Sequence, residues 1–174
     1  MRRVRRRTLL AAVAASAGCG SRLSWVSGDT TNREQEPVTV ETLDAPGSEP
    51  GTTTVPAPGR VTFVEFFATT CDVCASQMPA VGDAYERVDD VQFLSVTSEP
   101  VGLSISRSEV ASWWDANGGN WPVGIDDGTE LTRRYDATAI PTAVVVDAGG
   151  TVRWTHAGRI DADTIVDAIE SAGE

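Results

Sequence analysis

Lysine is absent from this 174-residue chain: all 14 basic residues are arginine, set against 25 acids. Histidine occurs once and cysteine three times. A structural zinc site wants four nitrogen or sulfur ligands, so Cys71, Cys74, His156 and a scatter of carboxylates make a poor inventory for one. Long hydrophobic runs are also missing. The apolar run Leu9–Ala15 falls far short of the roughly 20 residues that span a bilayer, which excludes a mature transmembrane helix there. No internal repeat is present. The length admits one domain with a short appendage and is small for two cores, while a hydrophobic fraction of 41% is ordinary for a folding chain.

Charge is unevenly placed. Arg2, Arg3, Arg5, Arg6 and Arg7 precede Cys19 and no acid does, so beyond it nine arginines face all 25 acids, a net −16 against −11 for the whole. Such a surface repels nucleic acid and anionic headgroups. Acid excess without lysine also describes a chain kept soluble in concentrated salt, where screening removes the self-repulsion of the folded state.

Residues 1–18 have the three parts of a secretory signal: a basic start, the apolar run, and small residues before Cys19. Arg6-Arg7-Thr8-Leu9-Leu10 fits the twin-arginine pattern of the pathway that exports folded proteins. Ala17-Gly18-Cys19 resembles the lipobox of lipoproteins, with Ser16 standing where leucine is more usual; the resemblance implies lipidation of Cys19. An odd cysteine outside the cell also needs a use, and a lipid tether supplies one. Without lipidation the protein would be secreted. Residues 19–36 are polar, with no apolar period, and read as a flexible stalk.

Folded structure is expected over 37–174. Val38–Leu43 alternates, Asp44-Ala45-Pro46-Gly47 turns, and Thr52–Val55 returns as an N-terminal β-hairpin. Val61–Phe67 is nearly continuous apolar, the pattern of a strand buried on both faces. A helix follows over 72–88 with Pro79 inside it, then a buried strand Val91–Val96. Ser106-Arg107-Ser108-Glu109 has capping-box spacing and opens a helical insertion that stops at Gly118-Gly119. Val123–Ile125 is a short strand, and Thr129–Tyr135 a short helix. Thr142–Val146 and Val152–His156 form a hairpin, and Asp161 or Asp163 caps a last helix, Thr164–Ala172. The alternation argues an α/β fold, a mixed central sheet flanked by helices. Trp113, Trp114 and Trp121 are expected to pack the insertion and His156 to lie on the surface.

Cys71-Asp72-Val73-Cys74 carries the chemistry. The pair falls after the most buried strand and at a helix start, where backbone N–H groups and the helix dipole stabilise a thiolate, the attacking species. Two intervening residues let one helical turn bring the sulfurs within bonding reach. A purely structural disulfide would normally close a long loop, and this one closes almost none. Redox exchange is the reading that remains.

Phe66-Phe67-Ala68-Thr69-Thr70-Cys71-Asp72-Val73-Cys74, with Pro79 five residues on, resembles the active-site segment of thioredoxins. Tyr135-Asp136-Ala137-Thr138-Ala139-Ile140-Pro141-Thr142 is similar to their second signature, whose proline is cis and faces the disulfide. The separation of the two, the insertion and the early hairpin resemble the TlpA/ResA-like extracytoplasmic branch. With the lysine-free acidic composition, the likeness implies a haloarchaeal lipoprotein. It implies a thioredoxin fold and a thiol–disulfide oxidoreductase in which Cys71 attacks, Cys74 resolves, and Pro141 with its neighbours Ile140 and Thr142, together with Thr70, lines the substrate-docking surface. It implies no cofactor. Its partners would be exported client proteins with disulfides, of apocytochrome c or copper-site type, and a membrane electron donor of thiol type.

Glu65, six residues before Cys71, matches the buried acid of thioredoxins, able to take the Cys74 proton; the alternative is a surface-pointing carboxylate. Three departures stand out. Thr70 replaces the usual tryptophan. Gln77 stands where many members of the branch carry glutamate. Asp72 opposes a thiolate at Cys71, which favours a reducing pair. The rival class is a copper(I)-binding assembly factor of the Sco type, with His156 joining the thiols, although that family spaces its cysteines by three residues.

Overall fold

The computed structural model describes residues 36–174, so the signal segment 1–18, Cys19 and nearly all of the stalk lie outside the described residues. Its centre is the strand that the sequence marks as apolar on both faces. Val38–Thr42 (β1) and Gly51–Val55 (β2) form the early hairpin, and Thr62–Phe67 (β3) is the central strand. Asp72–Arg87 (α1), Gln92–Thr97 (β4), Arg107–Ala116 (α2) and Val123–Ile125 (β5) follow. Glu130–Arg134 (α3), Thr142–Val146 (β6), Val152–Ala157 (β7) and Ala162–Ala172 (α4) complete the chain.

The seven strands form one sheet in the order β2-β1-β5-β4-β3-β6-β7. β3 runs parallel to β4 and β4 to β5, whereas β1, β6 and β7 pair antiparallel to their neighbours. The mixed sheet expected from the alternation of elements is therefore present, early hairpin and helical insertion included. Every residue of β3 is buried because helices cover both faces. On one face Phe63 and Phe67 pack with Met78 and Val81 of α1, Trp114 of α2, Trp121, and Ile165 and Ile169 of α4. On the other, Val64 and Phe66 pack with Leu131, Tyr135, Val144 and the hairpin residues Val40 and Val55.

Capping explains where the helices begin. Ser106 and Glu109 form the expected capping box, each bonding the other's backbone N–H. At the last helix Asp161, rather than Asp163, is the cap: its carboxylate accepts from the Thr164 N–H, so α4 starts two residues earlier than expected. The short helix expected over Thr129–Tyr135 is split into a 3₁₀ turn at Asp127–Thr129 and α3. Buried Asp126 dictates the split, since its carboxylate accepts from the N–H groups of Leu131 and Thr132 and from the Thr132 hydroxyl.

Hairpin and insertion meet at a glycine. Gly47 has φ of 72°, and a Cβ placed there would collide with the backbone of Asn120 and Trp121. Both the positive φ and the contact with immovable backbone disfavour a side chain. Gly47→Ala is expected to lower unfolding free energy by about 3 kcal/mol, read from urea titration. A loss below about 1 kcal/mol would mean that the two loops separate easily.

Candidate functional site

The chain leaves β3 at Phe67, turns through Ala68, Thr69 and Thr70, and enters α1 with Cys71 as its N-cap. The Cys71 N–H bonds the Ala68 carbonyl at 3.1 Å, which tightens the turn. Cys71 and Cys74 are joined in a disulfide, with Cα atoms 5.2 Å apart. The two sulfurs are unequal. Cys71 is half-buried, whereas Cys74 is fully buried beneath the first turn. The Cys74 N–H also donates to Cys71 Sγ at 3.1 Å, so the open helix end already addresses the outer sulfur. A thiolate at Cys71 would therefore be both reachable and stabilised.

A carboxylate that sequence reasoning missed holds this turn. Glu99 accepts from the Thr69 N–H and hydroxyl, both at 2.8 Å, and from the Thr97 hydroxyl at 3.0 Å. The register explains the meeting: Phe67 pairs with Thr97 across parallel β3 and β4, so two residues further on Glu99 faces Thr69. A carboxylate two residues past the strand flanking the cysteine strand was the available signal. Glu99→Ala leaves the Thr69 donors without their acceptor. It should lower stability by about 2 kcal/mol in a urea titration, with a change in the thiol reactivity of Cys71. An unchanged midpoint would show that water replaces the carboxylate without loss.

Glu65 is buried, so it is not a surface-pointing carboxylate. It is 1% exposed and lies on the β3 face that Phe63 and Phe67 share, the face whose apolar cluster contains Cys74. Burial pushes its pKa up to about 7, opposed in part by a hydrogen bond from the Ser95 hydroxyl to Oε2 at 2.8 Å. Oε1 is buried without a hydrogen-bond partner.

Pro141 follows a cis Ile140–Pro141 bond and is buried. Antiparallel pairing of Phe66 with Thr142 sets Pro141 beside the end of β3, at the edge of the sheet from which the Cys71 turn departs. Ile140 and Val73 are large apolar side chains left 43% and 47% exposed, and Thr70 is exposed. Thr142 behaves differently: it is 2% exposed and its hydroxyl donates to the Ala139 carbonyl at 2.7 Å, so its polar group serves the loop. Gln77 is buried too. Its amide donates to the Ile160 carbonyl at 3.0 Å and accepts from the Ile160 N–H at 2.9 Å, tying α1 to the approach to α4.

His156 is half-buried rather than fully at the surface, because its ring stacks on Trp154 with centroids 5.7 Å apart. It lines an open depression of about 770 Å³ with Pro79, Asp83, Arg159 and Asp161. Among the described residues no three of His, Cys, Asp and Glu gather into a group able to hold a metal, so His156 is not brought to the sulfurs as a copper ligand. No described helix is long and apolar enough to cross a membrane.

Comparison with known proteins agrees with this geometry. The chain is 22% identical over 148 residues to the sporulation thiol-disulfide oxidoreductase A of Bacillus subtilis, spanning 85% of this chain and 90% of that protein. It is 26% identical over 96 residues to the thiol-disulfide oxidoreductase ResA of the same species, spanning 54% of this chain and 51% of that protein. The solved exposed lipoprotein thioredoxin of Streptococcus pneumoniae superposes with a TM-score of 0.61 at 24% identity, over 75% of this chain and 98% of that one, which shows the shared fold. The Redoxin family model matches residues 33–170, and with nearly the whole described chain inside that match, this protein belongs to the Redoxin family.

Proposed function

We propose that this thiol–disulfide oxidoreductase works outside the cytoplasm as a membrane-tethered reductase of disulfides in exported proteins. The arrangement that carries the reading is an accessible Cys71 at a helix entrance above a fully buried Cys74. Cys71 as thiolate attacks one sulfur of a client disulfide, and the other client sulfur leaves as thiolate. Cys74 then gives its proton to the Glu65 carboxylate and attacks Cys71 Sγ. The client's second sulfur departs, and the enzyme holds the disulfide seen here. Two electrons pass to the client, and a membrane thiol donor returns them. Val73 and Ile140 offer apolar contact to an extended client segment beside Pro141. Clients of apocytochrome c or copper-site type fit the TlpA/ResA-like resemblance.

The remainder rests on sequence. Residues 1–18 would direct export through the twin-arginine route, lipidated Cys19 would anchor the protein, 19–36 would act as the stalk, and 37–174 would form the working domain. The acid excess suits concentrated salt. In the full chain, Cys74→Ser should accumulate mixed disulfides through Cys71, with clients identified by mass spectrometry. Cys19→Ser should release the protein from the membrane fraction. Failure to trap any client while copper(I) binds with dependence on Cys71, Cys74 and His156 would replace the reductase by the copper-carrier reading.

A further inference from the structure

A hydrogen-bonded chain runs from the insertion into the buried acid. The Trp121 indole N–H donates to Ser95 Oγ at 2.9 Å, and Ser95 Oγ donates to Glu65 Oε2 at 2.8 Å. Trp121 and Ser95 are fully buried, and Glu65 is 1% exposed. The backbone fixes the order. Glu65 pairs with Ser95 across β3 and β4, and the Ser95 N–H bonds the Pro122 carbonyl at 3.1 Å, fastening the Trp121 segment to the same residue. Trp114 holds the indole from the side, edge to face with centroids 4.7 Å apart.

A serine hydroxyl has one hydrogen to give. Because the indole N–H occupies an acceptor site on Ser95 Oγ, the hydroxyl hydrogen is left to point at Glu65 Oε2. Oε2 is thereby held as an acceptor, and the unpartnered Oε1 is the oxygen free to take or release a proton. We propose that Ser95 and Trp121 are positioning residues that orient Glu65 for the proton exchange of the resolving step and select Oε1 as the oxygen that receives the Cys74 proton. The inference rests on the role given to Glu65 above.

The surroundings leave few other groups to set that proton affinity. β6 presents Ala143 opposite Glu65, and α4 brings Ile165 and Ile169 to the cluster. α1 brings Met78, Cys74 and, part-buried, Tyr85 and Cys71. The cysteines and Tyr85 are the titratable members, and no charged side chain adds to the burial that raises Glu65.

The test uses the reduced full chain carrying Cys19→Ser, so that all thiols belong to the pair. It is mixed with an aromatic disulfide whose released thiolate absorbs visible light. The second release phase reports the attack of Cys74 on Cys71 Sγ, and its rate is followed against pH. The parent should show an inflection near the Glu65 pKa, and Glu65→Gln should abolish it. Ser95→Ala removes the one donor to the carboxylate, so the charged form is less favoured and the inflection should move upward by about one pH unit. Ser95→Thr keeps the hydroxyl and should restore the parent position. Trp121→Phe should move the inflection in the same direction by less. An inflection that Glu65→Gln abolishes but Ser95→Ala leaves in place overturns the relay and spares the role of Glu65. An inflection that survives Glu65→Gln overturns both.

Discussion

Cys71→Ser is expected to reduce disulfide exchange by roughly a thousandfold or more, because the hydroxyl cannot attack and the buried Cys74 cannot reach a client in its place. The asymmetry is the informative part. In the proposed cycle Cys74→Ser should preserve the first attack and stall the second, whereas Cys71→Ser should remove both, since Cys74 is fully buried. Single-turnover reduction of a disulfide-linked peptide separates the cases: a trapped adduct for one, none for the other. An active Cys71→Ser protein would require Cys74 to become exposed. The charge next to Cys71 bears on the redox potential. Asp72 is exposed on the first turn of α1, beside the nascent thiolate. Asp72→Asn removes a charge that opposes that thiolate, so the reduced state gains and the potential should rise toward more oxidising values, by up to about 30 mV for each 1.4 kcal/mol gained. High salt should mute the shift, because the charge is solvated.

What the sequence discloses of this fold is its local grammar. The nearly continuous apolar run of β3, the capping box at Ser106, the hairpin of β6 and β7 and the cysteine spacing each act over a few residues, and each is met in the structure. The misses share a different physical origin. Glu99 reaches Thr69 and Ser95 reaches Glu65 across 30 residues of chain, and Gln77 reaches Ile160 across 83. Such partners become neighbours only once the parallel strands find their register. Gln77 illustrates the point. Read by position it is a glutamate replaced, while in space its amide supplies both a donor and an acceptor to one backbone residue, which an ionised carboxylate cannot do. Trp121 looks like packing and does pack, yet its N–H has a polar destination that hydrophobicity patterns do not encode. Asp126 is likewise a cap whose helix begins four residues later, beyond the spacing that local capping rules scan.

Glu65 is expected to make stability depend on pH below neutrality. Its carboxyl titrates near 7 when folded and near its ordinary value of 4.5 when unfolded. Below pH 4.5 both states hold the proton and the group is neutral in the balance. Between 4.5 and 7 the unfolded chain gives up the proton while the folded one keeps it, so the folded state binds more protons and stability falls as pH rises. Above 7 both are ionised and the penalty is constant, about 3 kcal/mol in total. Glu65→Gln cannot ionise. The difference in unfolding free energy between variant and parent should therefore move in the variant's favour by about 3 kcal/mol from pH 4 to pH 8, measured by urea titration in constant salt. Parallel curves would mean that Glu65 is solvated or that another group compensates. The same variant should resolve mixed disulfides more slowly at pH 8. The proposed role as acceptor of the Cys74 proton accounts for a carboxylate held in an apolar cluster at the expense of stability, and the two measurements taken together separate that role from packing.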